Sequence, residues 1–272
     1  MKRINIITPI TRNINPNNLL NLVFSLSQQI TENKFEIMHI ILNINPNNNE
    51  LNYVLNLLNI YKFIRVIKIE NKNINQARNF AIKSFISDYV MHLEPSAIIH
   101  PHFLLSILNE ELVSQHKNII LSNWILFKKN KTFKIYVNQG SEKIKYVDKI
   151  CNSYLCPYDI ASEYLFDEQL VNGFEHWDLL LRYFSNNNNF SILNKFGFFK
   201  TNYVSGFLNC TFKEYQSTMK YFFNKYPNLY KNLLFKGFFI NTNYLNNMKI
   251  KYNLFGSKYK LKTPKFYKNK DI

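Results

Sequence analysis

Three runs decide the fold: Asn71-Lys72-Asn73-Ile74-Asn75-Gln76-Ala77-Arg78-Asn79-Phe80-Ala81-Ile82, then Ser87-Asp88-Tyr89-Val90-Met91-His92-Leu93-Glu94-Pro95-Ser96, then Ile98-Ile99-His100-Pro101-His102. They read as a polar loop, a short helix, a buried strand and a polar turn. Ala77, Ala81, Ile82 and Phe85 recur at helical spacing, with Lys83 and Ser84 facing out. Tyr89 to Leu93 is an apolar run between polar residues, which predicts a strand. Glu94 stands just past its carboxyl end. In an open α/β sheet, ligands bind in the crevice at that end.

Toward the N-terminus, strands and helices alternate. Ile4 to Ile7 reads as a strand, Thr8-Pro9-Ile10-Thr11-Arg12 as a loop, and Asn15-Pro16-Asn17-Asn18 as a helix start. Leu19, Leu20, Leu22, Val23, Phe24 and Leu26 continue that helix to about Ile30. Phe35 to Leu42 is apolar enough for a central parallel strand. A polar turn from Asn43 to Asn49, a helix from Glu50 to Leu58 and a strand from Phe63 to Ile69 follow. The alternation predicts an α/β fold with a mostly parallel central sheet flanked by helices. Toward the C-terminus we read a helix from Phe103 to Val113, a strand from Asn118 to Phe127, and a hairpin partner from Thr132 to Val137. Gly140 to Asp159 reads as an irregular, mobile acceptor-side loop.

A second stretch, Leu165-Phe166-Asp167-Glu168-Gln169-Leu170-Val171-Asn172-Gly173-Phe174-Glu175-His176-Trp177-Asp178-Leu179-Leu180-Leu181-Arg182-Tyr183, opens polar and ends as a helix. Asp178 and Arg182 stand four apart, the spacing of an intrahelical ion pair. Phe190 to Leu193 and Phe196 to Phe199 read as two short final strands beyond the Asn186–Asn189 polar loop.

Together these segments resemble the family-2 glycosyltransferases of GT-A fold. That family has a loop of the form N-x-G-x-x-x-A-R-N before a strand ending L-D-x-D-D, and Asn71, Ala77, Arg78, Asn79, Leu93 and Pro101 match the frame. Its later segment, F-D-E-x-L-x-x-G-x-E-D-W-D-x-x-x-R, is matched at Phe166, Asp167, Glu168, Leu170, Gly173, Glu175, Trp177, Asp178 and Arg182. Two matched segments in the right order weigh more than either alone. The resemblance implies transfer of a sugar from a nucleotide-sugar donor to a hydroxyl, with inversion, on a glycan or lipid-linked acceptor in surface polysaccharide or lipooligosaccharide synthesis. It places donor binding at Thr8, Pro9, Asn43, Asn45, Arg78, Glu94 and Ser96, and the acceptor base at His176 or Glu175.

The sequence departs from that family at three points. Asn43-Ile44-Asn45 stands where aspartates hold the nucleoside, and Glu94-Pro95-Ser96 replaces the acidic motif that binds Mn²⁺ or Mg²⁺. Asn can hydrogen-bond a base or ribose but carries no charge. Glu94 is left as the sole candidate metal ligand of that motif, which a hard, carboxylate-preferring cation suits poorly. His176 replaces the aspartate that takes the acceptor's proton, and imidazole is suited to that task near neutral pH. The alternative is a degenerate GT-A domain that binds nucleotide or glycan, or acts as a scaffold, without turnover.

Composition bounds the rest. At 272 residues and 46% hydrophobic content the chain is long enough for one sizeable domain with an appendage and too apolar for global disorder. We divide it at 1–210 and 211–272. The net charge of +16 points to an anionic partner, yet no zinc-finger spacing or aromatic RNA-binding pattern accompanies it, which argues against nucleic acid. Cys151, Cys156 and Cys210 form no disulfide framework, so reduced thiols are expected. The apolar run after Met1-Lys2-Arg3 stops at Pro9, too short for a signal peptide, and a cytoplasmic protein is expected. From Thr211 onward, Phe212, Tyr215, Met219, Phe222 and Phe223 recur at helical spacing with lysines between them, and Lys249 to Lys270 adds more. Such a tail fits a peripheral contact with the inner membrane face, or a packed appendage with a solvated lysine face.

Overall fold

The computed structural model describes residues 1–11, 14–44, 49–114, 118–127, 133–136, 154–170, 174–201 and 212–229. The chain divides into two compact units, Met1–Val204 and Ser205–Ile272. In the first unit the elements run β1 (Lys2–Ile10), α1 (Pro16–Ser27), β2 (Phe35–Ile44), α2 (Asn49–Leu58), β3 (Ile64–Ile69), α3 (Ile74–Ser84), β4 (Tyr89–His92), β5 (Ala97–Ile99), α4 (Phe103–Ser114), β6 (Ile119–Phe127), β7 (Phe133–Tyr136), β8 (Tyr154–Pro157), α5 (Tyr158–Glu163), α6 (Glu175–Ser185) and β9 (Phe190–Thr201). In the second unit, α7 (Phe212–Lys225) occupies the stretch of helically spaced aromatics and buries Phe222.

One mixed sheet orders the strands β3-β2-β1-β4-β8-β6-β9-β5, with β7 beside β6. Strands β3, β2, β1 and β4 are mutually parallel. The chain builds outward from β1 to β3 and then jumps back to β4, so the strand order reverses between β1 and β4. That reversal is the switch point at which α/β sheets bind ligands. The register sets Ile7 beside His92 and Ile10 beside Asn43, so the carboxyl ends of β1, β2 and β4 share one rim.

Helices α1 and α2 cover one face of this parallel part. Leu19, Val23, Leu51, Leu55 and Leu58 pack on Ile10, Ile41 and Ile64. Each such side chain contributes about 1.5–3 kcal/mol when fully buried. Helix α1 starts where the sequence put it: Asn15 caps it by accepting from the Asn17 N–H, and Pro16 follows at the first turn.

The structure corrects four sequence expectations. Thr8-Pro9-Ile10 is strand, not loop. Ile7 directs its carbonyl to Leu93, so by alternation Pro9 turns its missing N–H to the same side, past the end of β4 where no ladder partner is needed. Ala97–Ile99, read as part of a polar turn, pairs with β9. Residues 154–157, assigned to a mobile loop, form β8 wedged between β4 and β6, and α5 follows at once. All four β8 residues are buried, including Pro157, which pairs with Tyr89 at the start of β4. The rest of that loop, 140–153, lies outside the described residues. The two expected final strands are one, β9, whose pairing with β6 slips between Leu193 and Phe196. The slip is a bulge, and the intervening Asn194-Lys195 is what makes the run look broken.

A buried polar pair sits inside this sheet. Thr8 Oγ1 and His39 Nε2, both fully buried on β1 and β2, are hydrogen-bonded at 2.9 Å. Burial pushes the His39 imidazole down to about 3. A free histidine in the unfolded chain titrates near 6.5, so the unfolded state takes up a proton first as pH falls. Stability from this site is therefore complete above about pH 6.5 and declines toward pH 3, by roughly 4–5 kcal/mol at the limit. We expect urea midpoints to fall across that window, and the slope to flatten in the double variant Thr8→Val/His39→Leu.

Candidate active site

The loop after β3 and helix α3 are shaped by asparagines. Asn71 takes the left-handed conformation (φ 55°), which Asn tolerates better than most residues. Asn73 caps α3 in a reciprocal capping box: its side chain accepts from the Asn75 and Gln76 N–H groups, and Gln76 Oε1 accepts from the Asn73 N–H at 2.9 Å. On α3, Asn75, Arg78 and Asn79 share one face at i, i+3, i+4. That face grips the 166–170 segment. Asn75 Nδ2 donates to the carbonyls of Asp167 and Leu170. Asn79 Nδ2 donates to the Phe166 carbonyl at 2.9 Å, and the Phe166 N–H donates back to Asn79 Oδ1 at 2.8 Å. Asn73 Nδ2 and Asn79 Nδ2 also reach the Glu168 carbonyl and carboxylate.

This clamp sets the first turn of α6 against α3. Arg78 Nη1 donates to Glu175 Oε1 at 3.1 Å, with the two side chains only 4% and 9% exposed. Arg78 Nη1 also donates to Asn75 Oδ1 at 3.2 Å, and its guanidinium lies over the Phe166 ring at 5.0 Å. Arg78 Nε and Glu175 Oε2 are buried with no hydrogen-bond partner among the described residues. Buried polar atoms left over in this way mark strained or functional places, since each one costs free energy unless a ligand or water meets it.

His176, the next residue on α6, is buried among rings. Its ring centroid lies 5.1 Å from Phe166, 5.7 Å from His92 and 6.0 Å from Tyr154, all edge-on or nearly so. His92 comes from the end of β4, two residues before Glu94. Burial, and secondarily the Arg78 charge, hold the His92 imidazole well below its usual range, so it is neutral in the folded protein. Sequence reading passed over His92 because it sits inside an apolar strand run. Its position two residues ahead of Glu94 was the available signal.

Further along α6, fully buried Asp178 pairs with Arg182, which also donates to the Leu165 carbonyl. The expected i, i+4 pair is present, and it ties α6 to the start of the same segment. Beneath the site Cys156 on β8 is fully buried, and burial pushes its thiol far up, so it is inert. Cys151 and Cys210 lie outside the described residues.

Of the sequence-named residues, Arg78, Glu175 and His176 converge. Glu94 and Ser96 are half-buried in the turn that links β4 to β5, where the Ala97 N–H donates to the Glu94 carbonyl. Pro9 lies within β1, and the Thr8 hydroxyl faces His39. Asn43 is buried at the end of β2 and its amide donates to Asn52 Oδ1 at 3.2 Å. Asn45 and Arg12 lie outside the described residues. The donor set does not suit a divalent cation. Glu94 is the lone carboxylate in its turn, and among the described residues no three His, Cys, Asp or Glu side chains come together to hold a metal. His100 and His102 are exposed turn residues, their rings 5.8 Å apart.

The chain superposes on solved structures. The fold is GT-A. S. aureus TarS 1–349 in complex with UDP-GlcNAc superposes at a TM-score of 0.59 and 14% identity, covering 82% of this chain and 67% of that one. The same fragment in complex with UDP gives 0.58 and 17%, covering 79% and 64%. A longer TarS structure gives 0.59 and 16%, with 82% of this chain covered but 40% of that one. This chain therefore spans about two thirds or less of each TarS chain. No protein-family model and no curated protein sequence matches it. At these identities the likeness to TarS concerns the fold alone.

Proposed function

We propose that the protein is a glycosyltransferase of family-2 type that moves a hexose from a nucleotide-sugar donor to a hydroxyl of a glycan or lipid-linked acceptor, with inversion, in surface glycan synthesis. The observation that carries this reading is the buried Arg78–Glu175 pair, which brings α3 and α6 together beside the carboxyl end of β4. Neighbouring structures that hold UDP-GlcNAc and UDP support a nucleotide-sugar donor.

The acceptor oxygen attacks the anomeric carbon as the bond from that carbon to the diphosphate breaks. The acceptor's proton passes to a base. Glu175 is occupied in holding Arg78, and this favours His176 as that base, with Glu175 as its positioning neighbour. The leaving diphosphate needs positive charge, which Arg78, together with Arg12 or nearby lysines, is proposed to supply. No step is assigned to a metal, because Glu94 with Ser96 is a poor donor set. We expect donor turnover to persist in EDTA within about twofold of the rate with Mn²⁺, against the tens-fold losses seen when a catalytic cation is removed. Abolition by EDTA with rescue by Mn²⁺ would contradict this.

The three departures from the family motifs favour a second reading, a GT-A domain that binds a nucleotide or glycan without turnover. Calorimetric titration against a panel of nucleotide sugars, paired with a donor-hydrolysis assay, separates the two. Binding with hydrolysis or transfer supports the enzyme, binding alone supports the second reading, and no binding at all removes both.

A further inference from the structure

His92 is an odd residue for its place. It closes the run Tyr89-Val90-Met91 at the end of β4, where every position is buried, yet it carries an imidazole. Its Nδ1 is buried with no hydrogen-bond partner among the described residues. A nitrogen left so costs free energy that a leucine or phenylalanine at the same point would not, and its use has to be sought in what surrounds it. The surroundings are rings. The His92 centroid lies 4.8 Å from Phe166, 5.7 Å from His176 and 6.4 Å from Tyr154, each edge-on or nearly so. Phe166 and Tyr154 also stand edge-on to His176, so the two imidazoles share one aromatic box. The titratable and charged groups around His92 are His176 from α6, Tyr154 from β8, and Arg78 from α3 with its partner Glu175. The 166–170 segment contributes the Phe166 ring, and β1 sets Ile7 beside His92.

A histidine that takes up a proton becomes a cation, and a cation is costly among carbon atoms unless an acceptor meets it. Nδ1 of His92 is an acceptor inside the box. With the centroids 5.7 Å apart, a turn of either ring brings a nitrogen of one within hydrogen-bond reach of the other. Burial and the Arg78 charge keep His92 unprotonated, so it meets a proton on His176 as an acceptor and not as a second cation. We infer that His92 is a positioning residue for the transfer: it accepts a hydrogen bond from His176 once that ring has taken the proton of the acceptor hydroxyl, and so sets the strength of the base. The proton reaches His176 as the acceptor oxygen bonds the anomeric carbon and the diphosphate leaves with the bonding electron pair. His92 touches neither sugar. The role rests on the reading of His176 as the base, and it supplies the reason why a base packed among rings can hold a proton.

The test follows His176 by two routes in the full chain, for wild type, His92→Phe and His92→Gln. Phenylalanine keeps a ring for the edge-on contacts and removes the acceptor; His92→Leu, of smaller volume, takes its place if the phenylalanine variant does not fold. Glutamine gives up the ring and restores a neutral acceptor. Histidine Cε1–H resonances read the titration of His176 without substrate, and kcat and KM across pH read it in turnover. The acceptor-free variant is expected to lower the His176 midpoint by about one pH unit, to move the acid limb of kcat with it, and to reduce kcat roughly tenfold at nearly unchanged KM, because a weaker base takes the proton less readily. His92→Gln is expected to return midpoint and rate toward wild type. An unmoved midpoint in the acceptor-free variant overturns the inference. So does an equal fall of kcat in both variants with the acid limb in place, which would make His92 packing alone. A wild type that neither transfers sugar nor hydrolyses donor, but whose His176 midpoint falls as stated, upholds the hold of His92 on His176 and overturns the glycosyl-transfer reading instead.

Discussion

Replacing Arg78 by methionine is expected to lower folding stability by about 3–5 kcal/mol and to abolish sugar transfer. The physical reason lies in what remains. Glu175 would keep its carboxylate in a place only 9% exposed, with its ion-pair partner gone. An uncompensated buried charge is far more costly than the loss of the attraction itself. The double variant Arg78→Met/Glu175→Leu removes both charges and fills the space with apolar groups. It is expected to recover most of the lost stability while remaining inactive. Urea unfolding of wild type, single and double variants reads the first effect, and donor consumption reads the second. A single variant within about 1 kcal/mol of wild type would mean that water reaches the pair and that it does not organise the site.

The two outcomes together separate scaffolding from chemistry. Stability returning without activity would show the ion pair to be retained for what it positions. Activity returning with stability would make Arg78 and Glu175 a structural rivet, and the diphosphate charge would have to come from another cation.

The parts of the fold that could be read from sequence are those governed by local rules. Asn15-Pro16 announces the start of α1 by capping chemistry, and Phe35 to Leu42 announces a buried parallel strand by its unbroken apolar run. What escaped notice depends on distant partners. Tyr154-Leu155-Cys156-Pro157 has too few residues for a periodicity signal, and it is a strand only because β4 and β6 stand on either side. Arg78, Glu175 and His176 could be named from their motifs, yet nothing local says that Arg78 and Glu175, 97 residues apart, form an ion pair. The asparagines of α3 are the instructive case. The i, i+3, i+4 spacing of Asn75, Arg78 and Asn79 opposite Ala77 and Ala81 was visible as a polar stripe. Polar stripes usually face water, and here one faces the backbone of 166–170 instead. The signal existed in the number of asparagines on one face, since a side chain that both donates and accepts suits a bare backbone segment better than a charged one does.

His176→Phe is expected to reduce kcat by about 10²- to 10⁴-fold, with KM nearly unchanged and stability within about 1.5 kcal/mol of wild type. Phenylalanine is close enough in shape to keep the edge-on contacts with Phe166, His92 and Tyr154, so the substitution removes proton chemistry with little loss of packing. A base on imidazole works only while neutral, so wild-type kcat is expected to fall on the acid side, with that limb missing from the residual activity of the variant. Glu175→Gln makes the complementary test. It keeps the volume and one acceptor for Arg78, so it is expected to lower kcat less than His176→Phe and to leave the acid limb in place. The opposite ranking, with Glu175→Gln the more damaging of the two and the acid limb lost there, would move the base to Glu175 and leave His176 as packing. An undiminished rate in both variants would leave the cluster without a catalytic part, because no third side chain on the first turn of α6 is placed to take the proton: Asp178 is bound to Arg182 one turn further on.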